Sequence, residues 1–399
     1  MSTRRTKGNG LSHPTKSEIK KPDRQKTKRK ISVQKVSQAI SPRVMKKPTT
    51  ATAKGSYGIK GRYFAASAFK AGGMAAERFL SSATGEEQLD GSEYTNLNEA
   101  WNLFYRSQSF SHWPNSAYVN ACHQFIKGYG RYSATGISPS KLLWPTDRTV
   151  GCVICAVDEG STLKQQLDEL MKLPFEEVIL VLDGTDEGTR QIGQDHPLAP
   201  KVISFDVLLG YDIGRAIGAE QSRSDILLFL DADMVIGAEN LLPFIDEVGK
   251  GADVVLNSLT ERMPVFADRD SVSIVKQFLN LSMHRPDLEA DSLTAVPHAI
   301  TRRGLEVIGT GTLAIPPLAQ VRAIMGDLRI VRVSSSVNVF HYNRIRSNNV
   351  GHGNPAEQMI LGDHLEALHY ATEAHGPRMS YSDFNRDREI ACKDGEETA

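Results

Sequence analysis

Asp231-Ala232-Asp233 sets two carboxylates at i and i+2, directly after the apolar run Ile226-Leu227-Leu228-Phe229-Leu230. A bounded apolar run of that length reads as a buried strand of a parallel sheet. Side chains alternate along a strand, so the two carboxylates leave its end on one side. Like charges placed that way repel unless a cation stands between them. A divalent metal that also holds a phosphate meets that need, so the motif points to an enzyme that handles a nucleotide.

The carboxylates need a frame, and the surrounding chain supplies one. The residues predict strands over 149–157, 177–182, 201–205, 225–230 and 253–258, with helices over 161–173, 186–193, 212–222 and 240–249. Such alternation is the pattern of an α/β sheet with helices on both faces. Ligands of these sheets bind beyond the carboxyl ends of the strands. Three of those ends are acidic: Asp158-Glu159, Asp183 through Glu187, and Asp231 with Asp233. Any one of them reads as a helix cap, but caps account poorly for all of them along one sheet edge. Gly210 and Gly214 open the helix that carries Arg215 on its first turn, within reach of a phosphate or a donor sugar, or of a surface ion pair.

These segments resemble the nucleotide-binding half of a family 2 glycosyltransferase of the GT-A fold, a mostly parallel sheet with helices on both faces. The family's Ala-x-Asn-Glu is matched by Ala156-Val157-Asp158-Glu159. Its Asp-Asp-Gly-Ser-x-Asp is matched by Leu182-Asp183-Gly184-Thr185-Asp186, and its Asp-x-Asp by Asp231-Ala232-Asp233. Asp158 stands where the family has Asn, and Leu182 where it has the first Asp, so the base of the nucleotide is not fixed. The resemblance implies a nucleoside-diphosphate sugar donor, an unspecified acceptor and a Mg or Mn ion on Asp233, with Asp231 supporting it or touching the ribose. Asp183 would bond the base or ribose, and Ala156, Asp158, Glu159, Gly210, Arg215 and Ala232 would line the donor site.

Beyond residue 260 the chain is similar in layout to glucosyl-phosphoglycerate synthases and to envelope-synthesis members of the family. Their His-x-Asn-Arg motif is matched by His341-Tyr342-Asn343-Arg344. The resemblance makes His341 the third metal ligand, with His364 and His298 as rivals. Asp291, just before the acceptor-side loop, is the candidate general base if transfer inverts the sugar; a retaining transfer would need none.

The net charge of zero conceals a split. Residues 1–62 hold 18 Lys and Arg against 2 Asp and Glu, and the rest of the chain holds 29 against 45. Such a polar, basic segment cannot bury enough apolar surface to fold, so 1–62 is expected to be a disordered tail. It suits weak contact with a polyanion or an anionic membrane surface, and no motif for sequence-specific nucleic-acid reading accompanies it. Residues 63–147 read as a helical region, with helical spacing over Ala65–Leu80, broken at Gly72-Gly73, and over Leu97–Phe125. Residues 148–345 read as the GT-A domain, divided into a nucleotide-sugar half (148–260) and an acceptor half (261–345). Residues 346–399 read as a C-terminal helix and tail. Neither a spanning segment nor a signal peptide is evident, so a cytoplasmic enzyme is expected, with peripheral contact at the inner membrane surface as an option. Cys152 and Cys155 fall at i and i+3 of a strand, on opposite faces, and read as core residues rather than a redox or zinc pair. Two other readings compete. A nucleotidyltransferase would begin with a Gly-rich loop carrying Arg and Lys, which Ala156–Glu159 is not. A non-catalytic scaffold would dock through its basic tail and would need no set of four acidic groups.

Overall fold

The computed structural model describes residues 53–82, 92–108, 115–132, 137–333, 337–341 and 353–386. Most of the basic tail and the Asn343-Arg344 part of the His-x-Asn-Arg motif lie outside the described residues. From Ala51 onward the chain forms one compact unit. No described helix is long and apolar enough to cross a membrane.

The alternation read from the sequence becomes β1 (Val150–Ala156), α4 (Gly160–Leu170), β2 (Glu177–Asp183), α5 (Glu187–Asp195), β3 (Lys201–Phe205), α6 (Ile213–Gln221) and β4 (Ile226–Asp231). It continues through α7 (Leu242–Gly249), β5 (Val254–Asn257), α8 (Ser271–Ser282), β6 (His298–Thr301), α9 (Arg302–Ile308), α10 (Pro316–Met325), β7 (Ile330–Val333) and α11 (Pro355–His375). The seven strands run in the order β3-β2-β1-β4-β6-β5-β7. β6 is antiparallel to both β4 and β5, and the other pairings are parallel. The chain winds outward from β1 to β3, then crosses back to place β4 on the other side of β1. That reversal opens a crevice at the carboxyl ends of β1 and β4, where α/β sheets bind ligands.

Two local features aim the strand ends. α6 lies almost on β1, because Gly214 and Gly218 leave no side chain between them: a Cβ at Gly218 would meet Val153 Cγ1 at 2.3 Å, and one at Gly214 would meet Cys155 Sγ at 2.8 Å. The segment that follows β4 is pinned by α4. Gln166 Oε1 accepts from Ile236 N at 2.6 Å, and Glu169 Oε2 accepts from Ala238 N at 3.1 Å. Cys152 is fully buried and Cys155 half-buried, both as free thiols.

α1 (Ala53–Ser82), α2 (Ser92–Ser107) and α3 (Asn115–Tyr129) precede the sheet. α1 begins at Ala53, inside the stretch expected to be tail, and runs unbroken through Gly72-Gly73. Those glycines were expected to break it; instead Gly72 makes a helix crossing possible. A Cβ at Gly72 would lie 2.0 Å from Phe125 O, and one at Gly128 would lie 2.0 Å from Phe69 O. The expected second helix divides into α2 and α3. Trp101 of α2 bonds Tyr118 Oη of α3 at 2.7 Å and packs edge-on against Phe125. The three helices share one hydrophobic core with the sheet. The strap 142–146 joins them, its carbonyls accepting from Tyr94, Asn98, Asn102 and Tyr118.

The α1–α3 crossing should therefore tolerate no side chain. Gly72→Ala and Gly128→Ala should each lower stability by about 2 kcal/mol or more in urea titrations. Gly61→Ala, whose Cβ would only touch Ala117 at 4.0 Å, should be neutral or stabilising by up to ~1 kcal/mol. Equal effects at the three positions would contradict the close crossing.

Candidate functional site

The crevice is a pocket of about 250 Å³ lined by Ala156, Val157 and Glu159 at the end of β1, Asp183 at the end of β2, Gly210, Tyr211, Asp212, Gly214 and Arg215 around the start of α6, and Asp231 through Asp233 at the end of β4. Of the residues expected at a donor site, Ala156, Glu159, Asp183, Gly210, Arg215, Asp231, Ala232 and Asp233 line it. Asp158 is exposed and is not among the lining residues.

Each acidic strand end is held differently. Glu159 is buried, and its Oε2 accepts from the backbone of Val157 at 2.6 Å and Asp158 at 3.1 Å, so it shapes the turn after β1. Asp183 is buried and accepts from Leu209 N at 2.5 Å and Gly210 N at 3.1 Å. It thereby fastens the loop that leads into α6 to the end of β2. The loop ends at Asp212, whose φ of 63° places a non-glycine residue in the left-handed region. Asp212 offers α6 no side-chain cap. Its carboxylate is taken instead by Arg215, at 2.8 Å.

Arg215 is the centre of the cluster. It is 5 % exposed. Besides Asp212, its guanidinium reaches both oxygens of Asp231 at 3.4 Å and the carbonyls of Leu293 and Thr294 at 3.3 and 3.5 Å. It therefore links the pocket to the loop before β6. Burial opposes its charge, but Asp212 and then Asp231 outweigh burial and hold it ionised. Burial raises the pKa of Asp212 despite Arg215, and the nearby Asp231 adds to the rise. Arg215 was open between a ligand contact and a surface ion pair. The ion pair forms but is buried rather than at the surface, and Arg215 lines the pocket, so a ligand contact there remains a proposal.

Asp231 and Asp233 both line the pocket, and their two carboxylates suit a hard divalent ion whose other ligands come from a diphosphate. The described residues contain no group of three His, Cys, Asp or Glu placed to hold a metal without such a ligand. His341 ends a 3-10 turn over Val339–His341, exposed, and is not among the residues lining the pocket. His298 lies in β6, fully buried and stacked on Phe229 at 4.8 Å, with Nδ1 donating to Ala295 O at 3.0 Å. His364 is fully buried on α11 and its Nδ1 donates to Ile360 O. Both are placed as core histidines.

Asp291 lies outside the pocket and is 1 % exposed. Its Oδ1 accepts from Leu259 N, Thr260 N and Thr260 Oγ1 at 2.8 to 2.9 Å, and Oδ2 pairs with Arg332 at 3.1 Å. A carboxylate held by three donors and a guanidinium is committed to tying β7 to the loop after β5, so the geometry corrects its candidacy as a base. Tyr211 and Asp212 line the pocket but were not singled out. The signal was present in Gly210-Tyr211-Asp212, where it reads only as the opening of a helix.

Residues 152–296 match the family described as Glycosyl transferase family 2. No curated protein matches the chain. Among solved structures, glucosyl-3-phosphoglycerate synthase from Mycobacterium tuberculosis with Mn2+, uridine-diphosphate and phosphoglyceric acid aligns at TM-score 0.41 and 18% identity, over 59% of this chain and 80% of that one. The same enzyme with phosphoglyceric acid aligns at TM-score 0.41 and 16% identity, over 55% and 80%. A structure described as a mycobacterial protein aligns at TM-score 0.41 and 18% identity, over 55% and 74%. Likenesses this remote carry no argument about donor or acceptor.

Asp291→Asn should cost about 3 kcal/mol of stability, because it strips a buried partner from Arg332 and the Thr260 turn. The folded fraction should keep its turnover within about threefold. A fully stable variant with no turnover would restore the base role. Burial, and then Arg215, lower the pKa of His298 to about 3, and burial lowers that of His364 to about 4. Unfolded histidine titrates near 6.5, so below that pH the unfolded chain takes up protons that the native one refuses. Stability should fall as pH drops from about 6.5 toward 3 and lose nothing further from these groups below that. His298→Gln should remove about one proton from that slope in urea midpoints measured from pH 7 to 4; an unchanged slope would contradict the assignment.

Proposed function

We propose, on the premise that residues 152–296 form a glycosyl transferase family 2 domain, that the protein moves a sugar from a nucleoside-diphosphate donor to an acceptor, with a Mg or Mn ion held at Asp231 and Asp233. The observation that carries this reading is the convergence of Glu159, Asp183, Asp231 and Asp233 on one pocket at the β1/β4 reversal. A decayed scaffold has no physical need to keep four acidic groups together there.

The ion supplies charge neutralisation for the departing diphosphate. The chain's own residues do the rest. Asp183 holds the Leu209–Gly210 backbone, so the loop bearing Tyr211 forms a fixed wall for the nucleoside. Arg215 keeps Asp231 oriented and joins it to the Leu293–Thr294 carbonyls, so a donor seated on the carboxylates is registered against the acceptor side. Ala232, between the two carboxylates in sequence, is buried and lines the same pocket. His341 is the further ligand in this reading, on a turn whose Val339 and Phe340 border the neighbouring cavity. The basic tail, largely outside the described residues, would add weak contact with polyanions or an anionic membrane surface.

Turnover of UDP- or GDP-sugars, read as released nucleoside diphosphate, should require Mg or Mn. Asp233→Ala should lower it by at least about a hundredfold, while the melting temperature of the metal-free protein stays within about 2 °C. His341→Ala should raise the Mn concentration for half-activation by about tenfold or more. Metal-independent turnover, or an Asp233→Ala protein that is unfolded rather than inactive, would count against the reading.

A further inference from the structure

A second cavity, of about 470 Å³, opens beside the donor pocket and shares Tyr211, Asp212, Arg215, Asp231 and Asp233 with it. Its far side differs in chemistry. Met263, Val272, Phe340, Met359 and Ile360 give it apolar walls from the loop after β5, from α8, from the turn before His341 and from α11. One cation, Lys276 of α8, stands among them.

The charges around Lys276 are each already engaged. Asp270 caps α8 by accepting from Ser273 N at 2.6 Å. Asp212 is paired with Arg215, and Asp291 with Arg332. Glu357, also on the cavity wall, accepts from Gly353 N at 2.7 Å and from Ser271 Oγ. Lys276 itself makes no hydrogen bond or ion pair with any described residue. Burial lowers its pKa against the pull of Asp270 and Asp212. A half-buried ammonium on the cavity wall, with no hydrogen bond or ion pair to a described residue, is placed to receive an anion brought in by a ligand. An inorganic anion alone would leave the apolar walls in contact with water; a polar sugar would do the same and leave the ammonium unanswered.

We propose that this cavity takes the acceptor as an amphiphile, its apolar group against Met263, Phe340, Met359 and Ile360 and a phosphate or carboxylate on Lys276. Its hydroxyl end then faces Asp231 and Asp233, where the donor sugar arrives. The inference rests on the glycosyltransferase reading and adds the chemical class of the acceptor.

The test is calorimetric titration of the full-length protein with octyl phosphate, butyl phosphate, inorganic phosphate and octyl glucoside, each below its micelle concentration. Octyl phosphate should bind about tenfold or more tightly than butyl phosphate, as burial of four further methylenes requires, and inorganic phosphate more weakly still. Lys276→Gln should weaken octyl phosphate about tenfold and leave octyl glucoside unchanged. Ile360→Ser should weaken octyl phosphate and leave inorganic phosphate unchanged. The basic tail is present in every sample and cancels in these ratios. Binding of octyl phosphate that is indifferent to Lys276→Gln, or no tighter than inorganic phosphate, would overturn the proposal. Titrating UDP and GDP with Mn on the same samples reports separately on the donor pocket. Loss of nucleotide binding there speaks against the donor reading, and loss of the octyl phosphate pattern alone speaks against the acceptor class.

Discussion

Five carboxylates, Glu159, Asp183, Asp212, Asp231 and Asp233, meet in one pocket whose lining contains a single guanidinium. Like charges gathered at the carboxyl ends of buried strands repel more strongly than they would in water. The molecule answers the problem in two ways. Backbone amides absorb Glu159 and Asp183, and Arg215 absorbs Asp212 and part of Asp231. Asp231 and Asp233 are where the proposed cation would sit. The rest of the structure can be derived from keeping this arrangement in register.

Arg215 reaches the strand ends only because α6 lies against β1, and α6 lies there only because Gly214 and Gly218 present no side chains to it. Asp231 and Asp233 leave β4 in a fixed direction because α4 holds the chain at Ile236 and Ala238. The antiparallel β6 enters between β4 and β5 and carries the Leu293–Thr294 loop to Arg215. The same guanidinium thus touches the end of β4 and the loop before β6, the two sides proposed for nucleotide and acceptor. A ligand that shifts Asp231 would be felt across the whole crevice, through contacts of 3.5 Å or less.

Much of this was legible in the residues. Apolar runs of five to seven residues ending in acid located β1, β2 and β4 to within one or two positions, because a strand buried on both faces leaves an unambiguous pattern. The acidic ends then named most of the pocket lining. What could not be read was set by contacts between distant segments. Asp291 was singled out by its position before a loop, yet Arg332 and the Thr260 turn, far from it in sequence, decide what it does. Gly72-Gly73 reads locally as a break, and only the arrival of α3 at Phe125 makes it a crossing point. Tyr211 and Asp212 carry no local signal beyond a helix opening, because the loop before them is fastened by Asp183 of another strand. Antiparallel β6 left no signal, since four residues, His298 through Thr301, are too few to show a period.

Asp231-Ala232-Asp233 is proposed as one half of a cation site whose other half a nucleoside diphosphate brings. Calorimetric titration with a panel of nucleoside diphosphates, with Mn and again with a chelator in excess, addresses that directly. At least one diphosphate should bind with Mn, and its heat of binding should disappear with the chelator. Binding of equal affinity in both conditions would contradict it, because the carboxylates would then be facing the phosphates with no cation between them.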